Sequence, residues 1–113
     1  MLRLCIDSAS REAAEPLLAT GVFHGLTTNP TLLGREALGP TDLAELYAWA
    51  TAAGAREVFF QAWGEGVAEI MRCAEILQDI GPDVVIKVPA SVPGTSVAAR
   101  IAAQGRPVLL TAV

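Results

Sequence analysis

The chain has 113 residues, of which 52% are hydrophobic and 18% are charged, a composition that predicts one modest globular domain and excludes a disordered chain. The 8 basic and 12 acidic residues give a net charge of −4, and the sequence contains no cluster of Lys or Arg. We therefore expect neither a nucleic acid nor an anionic membrane as a partner.

The N-terminus, MLRLCIDSAS, has only a short apolar run before Asp7 and lacks the long apolar region of a secretory signal. No segment reaches the roughly 18 apolar residues that a membrane span requires. Cys5 and Cys73 lack the spacing of metal ligands, so we expect them to be reduced thiols in the core. These features predict a cytoplasmic protein.

Hydrophobic periodicity predicts five strands that alternate with helical connections. The predicted strands are 2–7, 22–28, 56–63, 83–90 and 106–113. The predicted helices are 10–20, 41–54, 64–81 and 92–105, and residues 29–40 read as a loop or short helical turn. Ser10 is the expected N-cap of the first helix, Pro16 predicts a kink or a late start, and Gly54 is the expected stop of the second helix.

Regular alternation of apolar strands with helices is typical of a parallel sheet in an α/β protein. Eight-stranded (β/α)₈ barrels typically have about 250 residues, so residues 1–113 are predicted to be a single N-terminal portion, strands 1–5, of a TIM barrel. An open doubly wound sheet is the alternative, although its Gly-rich dinucleotide fingerprint does not occur in this sequence.

Polar side chains mark the carboxyl ends of the predicted strands, where function collects in parallel α/β folds. They are Asp7, Thr27 with Asn29, Gln61, Lys87 and Thr111. Structural alternatives exist for most of them: Asp7 could cap a helix, TTNP could be an Asn-Pro turn, and Gln61 could bond only to backbone. His24 is expected to be structural, because no Ser or Cys partner motif accompanies it.

Lys87 is harder to explain as a structural residue. Its neighbours Val84, Val85, Ile86 and Val88 are apolar on both faces of the strand, which does not suit an edge lysine. A lysine that lines a barrel lies in a water-poor site, where burial disfavours the charged form and makes the neutral amine available to attack a carbonyl. A structural ion pair with Asp7 is the alternative.

An imine-forming lysine needs a proton shuttle to dehydrate the carbinolamine and to deprotonate the substrate during bond cleavage. Asp7, or a water held by Gln61 and Thr111, could supply it, and Thr27 with Asn29 could hold substrate hydroxyls. The set therefore predicts a carbon–carbon lyase or transferase that acts on polyols.

Five stretches that span the whole chain also carry a resemblance to a known family. They are LCIDSAS, GLTTNPTLL, VFFQAW, VVIKVPAS followed by Gly, and GRPVLLTAV. In this order they resemble the transaldolase family, in particular its short branch that includes fructose-6-phosphate aldolase. The combination of TTNP and IKVP at this separation is specific.

The resemblance implies a (β/α)₈ barrel, no metal, no cofactor and class I aldolase chemistry with Lys87 as the Schiff-base lysine. By motif, Asp7 resembles the acid/base residue, Thr27 and Asn29 resemble substrate-binding residues, and Thr111 resembles the holder of the catalytic water.

At the third strand, transaldolases typically carry glutamate and the aldolase branch carries glutamine, as this chain does at Gln61. The resemblance therefore favours reversible cleavage of a sugar phosphate to dihydroxyacetone and glyceraldehyde 3-phosphate. The transfer of dihydroxyacetone in the pentose phosphate pathway is the less favoured reaction.

Members of the family continue for three further βα units, which supply a phosphate-binding region and an aromatic residue near the lysine. We therefore expect this chain to be part of a longer protein, to exchange elements or to pair with another copy, and the resemblance implies a homo-oligomer. A catalytically inactive partial barrel that serves as an assembly or binding module is the main alternative. A phosphate-handling isomerase ranks last, because no glutamate lies at the end of a predicted strand.

Overall fold

The computed structural model describes residues 2–111, in which strands and helices alternate along the chain. The strands are β1 (Cys5–Asp7), β2 (Gly25–Thr27), β3 (Glu57–Gln61), β4 (Val84–Pro89) and β5 (Val108–Thr111). The helices are α1 (Arg11–Leu18), α2 (Pro30–Arg35), α3 (Leu43–Ala53), α4 (Val67–Gln78) and α5 (Val92–Ala103). A 3₁₀ turn, Pro40–Asp42, precedes α3.

The strands form one parallel sheet in chain order, β1-β2-β3-β4-β5. This arrangement confirms the predicted α/β fold class and agrees with strands 1–5 of a TIM barrel. The chain divides into two compact units between Phe59 and Phe60. That residues 1–113 are a single portion of one barrel stays a prediction.

In the first unit, the alternation of side chains along β2 and β3 separates a buried face from a less buried one. Leu26 and Val58 are register partners, and both are fully buried. Leu18 and Leu46 are also buried, in two helices, α1 and α3, that pack against each other. Because neighbours along a strand point to opposite faces, Thr27 lies on the face away from Leu26.

Gly25 allows β2 and β3 to approach each other closely. A Cβ atom at Gly25 would lie 2.5 Å from the carbonyl oxygen of Glu57, and that neighbour is backbone that cannot swing aside. Only glycine therefore fits at this position beside β3.

In the second unit, β4 is deeply buried. All five residues of Val84–Val88 are buried, and the helices α4 and α5 pack against this strand. Ile86 and Val88 are fully inaccessible and flank Lys87 in the sequence. Lys87 therefore lies on the opposite face of β4 from these two side chains.

Several element boundaries differ from the prediction. The first strand begins at Cys5 and the second at Gly25, because these two residues form the first pair in the parallel register. Residues 29–40 contain a helix, α2, and the predicted helix 64–81 is shorter, Val67–Gln78. Residues 112–113 of the predicted fifth strand lie outside the described residues.

The predicted helix signals are largely confirmed. The Ser10 hydroxyl accepts a hydrogen bond from the backbone N–H of Ala13, at 3.2 Å, as an N-cap does. The helix α1 begins directly at Arg11, so a late start caused by Pro16 is wrong. Gly54 ends α3 with a φ of 125°, a backbone conformation that favours glycine.

The two cysteines are free, but the prediction that both lie in the core is wrong for Cys5. Cys5 is exposed on β1, which stands at the end of the strand order and pairs with β2. Partial burial and the nearby Glu57 carboxylate raise the pKa of the Cys5 thiol. The thiol form therefore predominates at neutral pH.

The start of α5 is tied closely to the end of β4. Ser91 caps the helix by accepting a hydrogen bond from the N–H of Gly94, at 3.1 Å. A Cβ atom at Gly94 would overlap the carbonyl oxygen of Pro89 and would lie 2.9 Å from its carbonyl carbon. Because Pro89 ends the strand that carries Lys87, this close approach helps to position that strand.

We expect Gly94→Ala to lower the free energy of unfolding by about 1–3 kcal/mol, because the added methyl group must push α5 away from Pro89. Urea unfolding followed by circular dichroism measures the change. Gly34→Ala is the matched control: nothing lies within 4 Å of a Cβ atom there, and alanine suits a helix. Equal stability of the Gly94→Ala variant and the native protein would contradict the close approach.

Candidate functional site

Asp7 and Thr27 meet at the carboxyl ends of β1 and β2. They are register partners, and the Thr27 hydroxyl donates a hydrogen bond to Oδ1 of Asp7 at 2.9 Å. Ser10, and not Asp7, caps the helix that follows, so the reading of Asp7 as a helix cap is wrong. The exposed Asp7 carboxylate is oriented by Thr27 and accessible to a ligand.

The TTNP segment joins the end of β2 to the start of α2. The Asn29 side-chain oxygen accepts a hydrogen bond from the N–H of Leu32 at 2.9 Å and thereby caps the helix. The fully buried Thr28 donates its hydroxyl to the carbonyl oxygen of Phe59 at 2.8 Å. Asn29 is therefore a helix cap and not part of an Asn-Pro turn, and its amide nitrogen is the group that could donate to a substrate hydroxyl.

Sequence reasoning missed Thr28. The doubled threonine was the available signal: two successive strand-end residues point to opposite sides, so one can serve the core while the other serves a ligand. Thr27 donates a hydrogen bond to Asp7, whereas Thr28 donates one to Phe59 of β3.

In the second unit, Lys87 is 7% exposed in the interior of an apolar strand. It is also the only lysine in the sequence. The backbone N–H of Ala62 donates to the carbonyl oxygen of Lys87 at 2.8 Å. In a parallel ladder this bond places Gln61 directly across from Lys87, on the same face.

Thr111 lies beside this pair on the next strand. The register of β4 and β5 pairs Lys87 with Leu109 and Pro89 with Thr111. Thr111 is thus two residues beyond the partner of Lys87 and lies on the same face. The backbone N–H of Ala90 donates to the Thr111 carbonyl oxygen at 2.9 Å, which continues the pairing to the strand end.

The structure therefore places the predicted residues in two groups, one in each unit. Asp7 with Thr27 forms the first group, and Gln61, Lys87 and Thr111 form the second. Asn29 lies at the start of α2 as its cap. The chemical roles of all six residues stay predictions.

His24 takes part in a charged cluster at the other end of β3. Its Nε2 atom lies 2.6 Å from Oε1 of Glu57, and Nη1 of Arg3 lies 3.8 Å from the same oxygen. These contacts support the structural role expected for His24. Sequence analysis missed the cluster because 33 residues separate His24 from Glu57, and no local motif joins them.

Within residues 2–111, no helix is long and apolar enough to cross a membrane. Over the same residues, His, Cys, Asp and Glu side chains do not gather in groups of three that could hold a metal ion.

The Transaldolase/Fructose-6-phosphate aldolase family model matches residues 4–113. Proteins named probable transaldolase are similar to this chain. One from Maridesulfovibrio salexigens is 40% identical over 84 residues, which cover 74% of this chain and 38% of that protein. One from Chelativorans sp. is 31% identical over 114 aligned residues, covering 97% of this chain and 49% of that protein.

A third probable transaldolase, from Dehalococcoides mccartyi, is 30% identical over 105 residues, 92% of this chain and 48% of that protein. The chain thus spans about half the length, or less, of these curated relatives. The family model nevertheless matches it from β1 to its last residue. This match shows that the chain belongs to the transaldolase/fructose-6-phosphate aldolase family.

Proposed function

We propose that this chain carries the Schiff-base lysine of a class I aldolase that acts on sugar phosphates. The proposed reaction is the reversible cleavage of fructose 6-phosphate to dihydroxyacetone and glyceraldehyde 3-phosphate. The observation that carries the proposal is the burial of Lys87, 7% exposed within an apolar strand and across from Gln61. A buried amine next to polar side chains suits attack on a carbonyl better than it suits surface solvation.

In the proposed reaction, the neutral Lys87 amine attacks the ketose carbonyl carbon and forms a carbinolamine, which loses water to give an iminium ion. Removal of the proton from the C4 hydroxyl then breaks the C3–C4 bond and releases the aldehyde, with the bonding electrons drawn into an enamine. Protonation of the enamine and hydrolysis of the iminium ion release dihydroxyacetone and restore the amine.

Gln61 and Thr111 are proposed to hold the water that moves protons at Lys87. Both lie on the face of Lys87, on the strands at either side of β4. A neutral amide cannot act as a base at neutral pH, so Gln61 would orient the water by hydrogen bonds. The family resemblance associates this glutamine with direct aldol cleavage, which favours it over dihydroxyacetone transfer.

Asp7 is proposed as the acid/base residue, and Thr27 with Asn29 as the residues that bind substrate hydroxyls. The hydrogen bond from Thr27 occupies Oδ1 of Asp7 and supports a fixed carboxylate whose other oxygen can exchange a proton. The family resemblance further supports a cytoplasmic homo-oligomer that needs neither a metal nor a cofactor.

Lys87→Met should lower kcat/KM by about three orders of magnitude or more, because methionine fills the buried site but cannot form an imine. Borohydride reduction with dihydroxyacetone should add, in the native protein only, the mass of one dihydroxyacetone less one oxygen atom. Peptide mapping should locate this mass at Lys87, the only lysine in the sequence. A folded native protein that is not trapped would overturn the aldolase and favour the binding-module reading.

Asp7→Asn should lower kcat by about 10²- to 10⁴-fold, the usual contribution of a general acid or base, while imine trapping with dihydroxyacetone persists. Thr27→Val is the matched control, because it removes the 2.9 Å hydrogen bond and keeps the carboxylate. We expect a smaller loss of kcat from this control. Native kcat in the Asp7→Asn variant would assign the proton transfer to another group.

A further inference from the structure

Trp63 is an exposed aromatic residue on a backbone that is firmly held. Its side chain is 52% exposed, although it follows the fully buried Ala62. Ala62 is bonded to the Lys87 carbonyl oxygen at 2.8 Å, and the N–H of Trp63 itself donates to Sγ of Cys73 at 3.4 Å. The indole is therefore presented to solvent from a fixed position.

The residues after Trp63 add to this fixation. A Cβ atom at Gly64 would lie 2.6 Å from Cβ of Glu69 and 2.7 Å from the backbone nitrogen of Ile70, so the loop presses against the first turn of α4. The N–H of Glu65 donates to Oε2 of Glu69 at 3.0 Å. This segment has little freedom to fold the indole away from solvent.

Trp63 lies just beyond the carboxyl end of β3. Gln61 is the last residue of this strand and lies across from Lys87. Phe60 and Ala62 are buried, whereas Gln61 and Trp63 are less buried. Trp63 thus follows the residue that pairs with Lys87 by two positions, at the end of the strand where substrates enter parallel α/β sites.

A second exposed apolar side chain occurs at the same end of the unit. Val92 is 84% exposed and is the first residue of α5, which Ala90 and Ser91 join to the end of β4. An exposed apolar group therefore follows the end of each of the neighbouring strands β3 and β4.

The charge around Trp63 indicates what kind of ligand it would contact. Residues 62–72 contain Glu65, Glu69 and Arg72, all exposed. The net negative charge of this segment disfavours a phosphate group at this position. An indole favours the flat, uncharged face of a carbon chain or ring.

We propose that Trp63 is a specificity-determining residue that stacks on the uncharged carbon chain of the aldehyde joined to, or released from, the Lys87 enamine. The inference rests on the proposed function and adds a substrate class to it. Among aldehydes other than glyceraldehyde 3-phosphate, the chain favours neutral ones with an apolar or aryl body over short ones.

The test compares two aldehyde acceptors, phenylacetaldehyde and glycolaldehyde, with dihydroxyacetone as donor and the protein at its native length. The ratio of kcat/KM for the two acceptors should fall about tenfold in Trp63→Ala and be largely restored in Trp63→Phe. The ratio cancels any loss of folded protein, because both acceptors are measured on the same sample. A ratio within about twofold of the native value overturns the inference.

Ile76→Ala is the matched control. Ile76 is also an exposed apolar residue of this unit, 69% exposed, and it lies roughly 14 Å along α4 from the first residue of that helix. Its removal should leave the ratio unchanged. An equal fall in this variant would show a general effect of surface apolar residues and would overturn the assignment to Trp63.

A separate measurement distinguishes failure of the proposed function from failure of this inference. Trp49→Phe leaves Trp63 as the only tryptophan. In that variant, 2-phenylethanol, which cannot form an imine, should change the indole fluorescence saturably. If the native protein is not trapped by borohydride, the aldolase proposal fails. A saturable change of fluorescence with 2-phenylethanol would still support the Trp63 contact, whereas a linear change would overturn it.

Discussion

The strands β2, β3 and β4 give alternate residues to apolar packing, and that constraint decides which side chains remain for chemistry. In the first unit Leu26 and Val58 are fully buried, and in the second unit Ile86 and Val88 are. The period of two along a strand then leaves only the alternate positions available. Thr27 and Lys87 occupy such positions, each directly beside a core residue.

The same constraint explains why a lysine can lie in so apolar a segment. Removing an ammonium group from water is costly unless it is paired or neutralised, so a lysine in the middle of a buried strand does not arise from packing needs. Two contacts hold β4 in place. The backbone N–H of Ala62 bonds to the Lys87 carbonyl oxygen, and Gly94 at the start of α5 lies so close to Pro89 that a methyl group would not fit. A fixed backbone of this kind suits the nucleophilic role that we propose for Lys87.

In two loops, some residues make contacts within the protein while a neighbouring group stays available to a ligand. The Thr28 hydroxyl donates to the carbonyl oxygen of Phe59, and the Asn29 side-chain oxygen caps α2. The amide nitrogen of Asn29 is left for other contacts. In the loop after β3, Gly64 packs against the first turn of α4 and the Glu65 N–H donates to Glu69. Trp63 is left exposed. In both loops, one or two residues secure the chain so that a neighbour can face outward.

The sequence by itself determined the fold class, the order of strands and helices, the caps at Ser10 and Gly54, and the burial of Lys87, because these depend on local period and capping chemistry. It placed the strand starts too early, because the length of a parallel pair depends on where its partner strand begins. Only the tertiary structure decided that Thr27 bonds Asp7, that Glu57 bonds His24, that Cys5 is exposed, and that Trp63 is exposed just beyond Gln61. Those contacts join residues that lie far apart in the chain or at a loop, where no repeating local pattern specifies the partner.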